Sequence, residues 1–531
     1  MVYLINRIKN ILDLLNWYYR TSNVRSSKTP IHKKTLIISE VTTSIATVKV
    51  NCIYAKCLQL IGYKILILFK HKQPLYECYY KCLKINDFIY FQEKKNPNKV
   101  KMIKCITQNL ERENFLKIKV DGIQIGKWIS SRIVREEKKG EFKIENCDKI
   151  KLYKYINDSV NSINTIKDVI KNYKIDAIIF NERGYSPSGE IFECCLKNKI
   201  NTIQWFGSPL DNHHCFKRYI EKNKSCHPLT LSKSSFENLL NHKSSDQFAK
   251  KILKHLKSQY HEGKWFNRQN LQENKKIFAK HEIIKKLKLD PTKKIAVIFS
   301  HVMYDATYFY GTSLYRNYKL WLKETLLIAS TNKNVNWVLK IHPVNKFKND
   351  IEGTTEISLE EKLLEEIFKK VPENIFIIKA CSEISTYSLF HSIDYGLTVR
   401  GTIGCELSCF GIPVFTAGTG RYSNNGFTID SDSKKNYVDN LNNIEKFSRL
   451  SKKQVNLARI YTYGSLIAKS IPMDGIKIKY NITNNLKPYH TDVFFENLDV
   501  KELINKSDIR LFVDWFDNEN LVFSDEDLIR N

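Results

Sequence analysis

The strongest constraint on this chain is a pattern of short apolar runs, each closed by a turn and followed by a helical stretch. The pattern occurs twice along 531 residues. The first series begins at Thr35-Leu-Ile-Ile-Ser39, continues through a helical stretch over about 42–61, and returns after Gly62 to Lys64-Ile-Leu-Ile-Leu-Phe69. A charged, irregular region at about 92–150 gives no clear pattern. A helix near 155–173 then leads to Asp176-Ala-Ile-Ile-Phe180, a helix over Ser188 to Lys199, and Thr202-Ile-Gln-Trp-Phe206. The second series starts at Lys294-Ile-Ala-Val-Ile-Phe-Ser300. Its later runs are Asn336 to Ile341, Ile375 to Ile378, Tyr395 to Val399 and Pro413 to Thr416, separated by helices at about 316–331, 359–370, 383–391 and 404–410. Apolar runs this short fit central strands of parallel sheets, buried on both faces.

The expected fold class is therefore α/β, with two Rossmann-like domains facing a central cleft. The expected division is 1–34 as an N-terminal extension, 35–231 as the first domain, 232–290 as a Lys-, Ser- and Asn-rich helical connection, 291–475 as the second domain and 476–531 as a tail. The tail ends in an acidic stretch, Asp514 to Asp527, that suggests no assignment. Open α/β sheets bind ligands beyond the carboxyl ends of their strands, so the residues that follow each run are the ones to read for chemistry.

Five such segments stand out. Arg400-Gly401-Thr402-Ile403-Gly404 turns a strand into a helix. Its glycines admit a ligand to the backbone, and its unpaired N–H groups favour an anion. Thr402 and Arg400 suit phosphate oxygens, and Glu406 suits sugar hydroxyls. A second glycine loop, Ala417-Gly418-Thr419-Gly420-Arg421, opens at the same sheet edge. In Lys340-Ile-His342-Pro343 the proline ends the strand and sets His342 at the cleft; Lys340 is expected to point elsewhere. In Ser300-His301-Val-Met-Tyr304-Asp305-Ala-Thr307, His301 suits phosphate, and Asp305 suits donor sugar or a basic role, although helix capping by Asp305 or Thr307 also fits. In Asn181-Glu182-Arg183-Gly184, Glu182 lies at a strand end of the first domain and is the first candidate for a general base, with Asp305 second. Glu190 reads as a helix-start acid. Asp211, His213 and His214 lack a further ligand at metal spacing, so no metal is expected.

His-Pro at a strand end, then a glycine- and hydroxyl-rich turn with a glutamate and Gly411-Ile-Pro-Val414, resembles the capsule polysaccharide biosynthesis glycosyltransferases of the GT-B type. More distantly it is similar to bacterial sialyl- and Kdo-transferases and CDP-glycerol glycerophosphotransferases. The resemblance covers about 290–430, and more loosely about 175–210. It implies that His342 and Thr402 bind donor phosphate and that Glu406 binds ribose or donor sugar. Many of those relatives carry paired serines where this chain has Arg400-Gly-Thr402, which leaves the donor nucleotide open.

The expected chemistry is sugar transfer by direct displacement. The donor is a nucleotide-sugar, the acceptor a surface polysaccharide or lipid-linked glycan, and neither cofactor nor divalent metal is called for. Glu182 or Asp305 takes the acceptor proton. His342, Arg400 and the amides of 401–404 stabilise the departing nucleotide. A nucleotide-sugar 2-epimerase of the same architecture is the nearest alternative, and a non-catalytic assembly subunit is another.

A formal net charge of +29 points to anionic partners, although Lys, Asn and Ile are abundant throughout the chain. Nucleic acid is disfavoured, because the lysines are dispersed and no recognition module appears. Thirteen scattered cysteines, without paired CxxC spacing, read as small buried hydrophobes in a reducing cytosol. No apolar run approaches the roughly 18–20 residues of a membrane span. The expected location is cytoplasmic. Leu4, Ile5, Ile8, Ile11, Leu12, Leu15 and Trp17, with Arg7, Lys9 and Arg20 around them, form an amphipathic stretch. It either lies on the anionic inner face of the plasma membrane or packs on its own protein.

Overall fold

In a computed structural model, the described residues are 2–25, 34–92, 115–266, 271–272, 274–345, 357–480, 491–494, 499–518 and 526–530. Residues 93–114 of the charged region, 519–525 of the acidic stretch, and the side chains of Leu4 and Ile5 lie outside them.

Two sheets organise the chain. The first contains β1 (Lys34–Ser39), β2 (Tyr63–Phe69), β3 (Phe88–Tyr90), β4 (Ala177–Phe180), β5 (Asn201–Gly207) and β6 (His213–Tyr219). Their spatial order is 3-2-1-4-5-6, and all are parallel except β6. The second contains β7 (Lys294–Phe299), β8 (Val335–Lys340), β9 (Ile375–Ile378), β10 (Tyr395–Thr398), β11 (Val414–Thr416) and β12 (Ile429–Asp430). Its order, 9-8-7-10-11-12, repeats the first, and every pairing is parallel. These are two Rossmann-like domains in the GT-B arrangement, as the two series of apolar runs predict.

Alternation along each run feeds two cores at once. In β1, Leu36 and Ile38 enter one apolar cluster and Ile37 enters another on the opposite face. In β7, Ala296 and Ile298 pack one way, while Ile295, Val297 and Phe299 pack the other. A strand with both faces covered needs no polar alternation, so the runs read as continuous hydrophobic segments. Helices complete each layer. Ile45–Leu60, capped by the Ser44 hydroxyl, is buried along nearly its whole length between β1 and β2.

The two sheets do not follow the chain strictly in order. After the second domain, β13 (Ile471–Pro472) pairs antiparallel with β6 and so joins the first sheet. The helix Ser507–Asp517 then packs on the first domain, with the Phe512 ring 4.8 Å from that of Tyr54. Asp527 closes this return. Its carboxylate accepts from Lys217 at 2.9 Å, from Lys469, and from the Ser232 N–H at 2.7 Å. Burial alone would raise its pKa, but the two ammonium groups hold it well below the usual carboxylate range.

Removing a buried counter-ion leaves its partners charged and dry. Asp527→Ala is therefore expected to lower stability by about 3–5 kcal/mol, read as a lower denaturation midpoint at neutral pH. Asp527 has a depressed folded pKa. Its contribution is present above the unfolded value and is lost as pH falls through the folded one. The difference between wild type and variant should accordingly shrink in strong acid.

Candidate functional site

Each sheet reverses direction beside its first strand, between β1 and β4 and between β7 and β10. Loops leaving the carboxyl ends there diverge and leave a crevice. The two crevices face one another across one cavity of about 730 Å³. Its walls include Glu182, Gln204 and His227 on one side, and Ser300, His301, Lys340, His342, Thr402, Glu406 and Arg421 on the other. A cavity of this size accommodates a small-molecule ligand.

The histidines are fixed in tautomer by their backbone partners. His301 Nε2 accepts from the Val399 N–H at 3.1 Å and the Arg400 N–H at 3.3 Å. An imidazole that accepts on Nε2 carries its proton on Nδ1. The ring stacks on Tyr318 at 4.4 Å between centroids. His342 Nδ1 accepts from the Val344 N–H at 3.2 Å, and His227 Nδ1 from the Leu229 N–H at 3.0 Å. Both of these histidines precede proline, and both therefore hold the proton on Nε2. Burial, reinforced by nearby cations, pushes His227 and His301 well below the ordinary histidine range. The cleft thus holds neutral N–H donors on both of its walls.

The cations differ in what they do. Arg400 donates to the carbonyls of Phe309 (3.0 Å), Tyr310 (2.7 Å) and Thr312 (3.4 Å). Three of its N–H groups are thus spent inside the fold, while its buried Nε has no hydrogen-bond partner. Arg421 is freer still. Its buried Nε has no hydrogen-bond partner, and its side chain makes no hydrogen bond or ion pair among the described residues. Lys340 lines the same cavity, where sequence alternation was expected to turn it away. Residues two apart on a strand share a face, so Lys340 follows His342. Its ammonium is buried, contacts no acid among the described residues, and is pushed down to about 7, by burial first and by Lys275 second.

The carboxylates also separate. Asp305 Oδ1 accepts from the Tyr185 hydroxyl at 2.7 Å and from Arg135 at 3.2 Å, so it ties the second domain to the first. Glu182 Oε1 accepts from the N–H groups of Arg183 (2.8 Å) and Gly184 (2.9 Å), which fixes the carboxylate while Oε2 has no partner among the described residues. Glu406 is buried and accepts from Tyr260 at 2.8 Å. Burial raises its pKa, against the hydroxyls of Tyr260 and Thr402 and the charge of Arg421.

The glycine loops are divided. The N–H of Gly401 donates to Thr398 Oγ1 and that of Gly404 to the Gly401 carbonyl, which leaves those of Thr402 and Ile403 for a ligand. The expectation of four donating amides over 401–404 therefore reduces to two. Gly404, Gly418 and Gly420 do not line the cavity. A side chain on Gly404 would strike Tyr422, one on Gly418 would strike Thr312, and one on Gly420 would crowd Arg400. The loop at 418–420 seats the 311–314 segment, where Thr419 Oγ1 accepts from the Thr312 N–H at 2.7 Å, and presents Arg421 alone to the cleft. His213 turns onto the Asp211 carbonyl, and His214 is buried between Tyr54 and Trp205. His227 was missed from sequence, although it carries the same His-Pro pair as His342.

No family model and no curated protein matches the sequence. Solved structures similar to the chain include the beta-Kdo 2,7 transferase part of KpsC from Thermosulfurimonas dismutans, at 14% identity over 64% of this chain and 89% of that one, TM-score 0.31. Also similar are UDP-GlcNAc 2-epimerase from Neisseria meningitidis, at 12% over 81% and 96%, TM-score 0.24, and a glycosyltransferase from Rickettsia africae, at 12% over 81% and 93%, TM-score 0.26. At such identity and score none of these likenesses assigns an activity to this chain.

Lys340 yields a test without any substrate. Its folded pKa of about 7 lies below the model-compound value of 10.5. The unfolded chain therefore binds more protons between those values, and stability rises with pH across that window. Lys340→Met should raise the melting temperature near pH 7, with the gain shrinking toward pH 10. A gain that does not change with pH would mean that the ammonium is not held in a dry site.

Proposed function

We propose that the protein is a GT-B glycosyltransferase that moves a sugar from a nucleotide-activated donor to a surface polysaccharide or lipid-linked glycan. The observation that carries this reading is Arg421: a guanidinium inside the cleft, without a protein partner, facing a strand edge lined with neutral N–H donors. A cation whose Nε is buried without a hydrogen-bond acceptor is costly, and an anionic ligand offsets that cost. The donor phosphates would lie against Arg421, Lys340, His301 and His342, with the N–H groups of Thr402 and Ile403. Glu406 and the Thr402 hydroxyl suit ribose or sugar hydroxyls.

The step is a single displacement. The acceptor hydroxyl oxygen bonds to the anomeric carbon and its proton passes to Glu182. The bond from that carbon to the nucleotide phosphate breaks, and its electron pair goes to the phosphate oxygen. Cations and N–H donors around that oxygen stabilise the charge as it develops. Glu182 is favoured over Asp305 as base, because Asp305 Oδ1 is already held by Arg135 and Tyr185.

Two measurements test this. Titration against CMP, CDP, UDP and GDP should find one nucleotide that raises the melting temperature. Arg421→Ala should weaken that nucleotide about 10–100-fold, the loss of one or two charge-assisted hydrogen bonds. Glu182→Gln should leave nucleotide affinity intact and lower transfer by about 10²–10⁴-fold. If Arg421→Ala binds as wild type does, the donor site lies elsewhere. Conversion of UDP-N-acetylglucosamine without any acceptor would instead identify an epimerase.

A further inference from the structure

The N-terminal helix Val2–Arg20 has two different faces. One is anchored inward. Trp17 is 2% exposed and donates from Nε1 to the Tyr79 carbonyl at 3.2 Å. Asp13 pairs with Lys49 and accepts from the Tyr79 hydroxyl. The Thr21 hydroxyl closes the helix end onto the Trp17 carbonyl. These contacts fix the rotation of the helix about its axis.

The opposite face is apolar and open. Ile8, Ile11, Leu12, Leu15, Tyr18 and Tyr19 are 49–71% exposed. Twelve large hydrophobic residues are exposed among the described residues, and these are six of them, so the exposure is concentrated rather than scattered. At about 100° per residue the six fall within an arc of about 120°, a width typical of an apolar stripe. Arg7 lies about 20° outside that arc on one side, Lys9 about 60° outside it on the other, and Arg20, whose Nε donates to Asn16 at 3.0 Å, about 80° outside it. The one acid of the helix, Asp13, is on the anchored face. The outward surface is thus apolar along its centre and cationic at both margins.

The geometry points to this face as a docking surface for an anionic lipid bilayer. The six side chains enter the boundary between head groups and acyl chains, and Arg7, Lys9 and Arg20 reach phosphate. Charge complementarity selects the occupant, because a helix with cations on both margins and no outward acid suits a continuous negative surface better than a second copy of a chain with net charge +29. No helix among the described residues is long and apolar enough to cross a membrane, so the contact lies along the surface. The inference does not depend on which reaction the cleft performs.

The test is flotation of the full chain with vesicles. Wild type should float with phosphatidylglycerol–phosphatidylethanolamine vesicles. It should bind at least about tenfold more weakly to pure phosphatidylcholine, and lose most binding near 1 M salt, where charges are screened beyond about 3 Å. Leu12→Glu with Leu15→Glu should lower binding at least about tenfold and leave the melting temperature unchanged, since both side chains are already in solvent. Three results would overturn the proposal: no flotation of wild type on anionic vesicles, equal flotation of the double variant, or a dimer in light scattering that the double variant dissociates. The last would identify a second copy as the occupant.

Discussion

The arrangement of the cleft depends on the Arg400 guanidinium, which gathers the carbonyls of Phe309, Tyr310 and Thr312 into one loop. That loop is the part of the second domain that reaches the first. Phe309 packs on Trp128 and Tyr185, and it fits because Gly184 has no side chain to block it. The Tyr310 hydroxyl accepts from Gln204 at 3.3 Å. Just before it, Asp305 binds Tyr185 and Arg135. Without the arginine, three carbonyls would turn to solvent or to each other and the inter-domain contact would lose its support. The segment opposite is tied by the same economy. His301 uses one nitrogen to hold the N–H groups of Val399 and Arg400, so β7 and β10 end in register at the point where the sheet reverses.

The site follows from what these internal bonds leave over. Arg400 donates three hydrogen bonds to the fold, and the Arg421 side chain donates none among the described residues. Lys340 is buried without an acid, and the nearest acid of the second domain, Glu406, is pushed toward its neutral form by burial. The local balance is positive in a region of low dielectric, where an unpaired charge acts over longer range than in water. An architecture that carried this imbalance with no anion to receive would be less stable than one with methionine or leucine in these places. The imbalance is therefore better read as a binding device than as a packing solution.

Much of the fold was legible because the central strands of both sheets are parallel and buried on both faces. Each central strand appears as its own apolar run, and Gly62 and Pro343 mark the turns. β6 was not legible. Its sequence, His213-His-Cys-Phe-Lys-Arg-Tyr219, reads as polar, and its Lys217 and Arg218 are buried only because Asp527 and the carbonyl of Trp515 meet them from some 300 positions away. β13 is two residues long and ends in proline, so no pattern could signal it. In the site, sequence located the strand ends but not what each side chain does there. Arg400 and Arg421 look equally suited to phosphate in a glycine turn. What separates them is a loop some 90 residues earlier that occupies one and not the other. His227 was overlooked for a simpler reason: it follows an antiparallel strand that was itself unread.

Neutral imidazoles make a different kind of anion site from charged ones. An imidazolium adds a full charge to the attraction and so holds the substrate tightly as well as the departing nucleotide. A neutral imidazole donates a hydrogen bond whose strength grows with the negative charge on the acceptor. In the proposed transfer, His227 and His301, kept neutral by burial and by surrounding cations, would favour the state in which charge has moved onto the phosphate over the state in which it is still shared with the sugar. Interactions stronger in the transition state than in the ground state are the ones that raise a rate. The fixed cation Arg421 would attract both states and the departing nucleotide more strongly, and Lys340, with its ammonium near its midpoint at neutral pH, would adjust its charge to the ligand. In the proposed transfer, the backbone N–H groups that fix each imidazole tautomer would then be part of the chemistry.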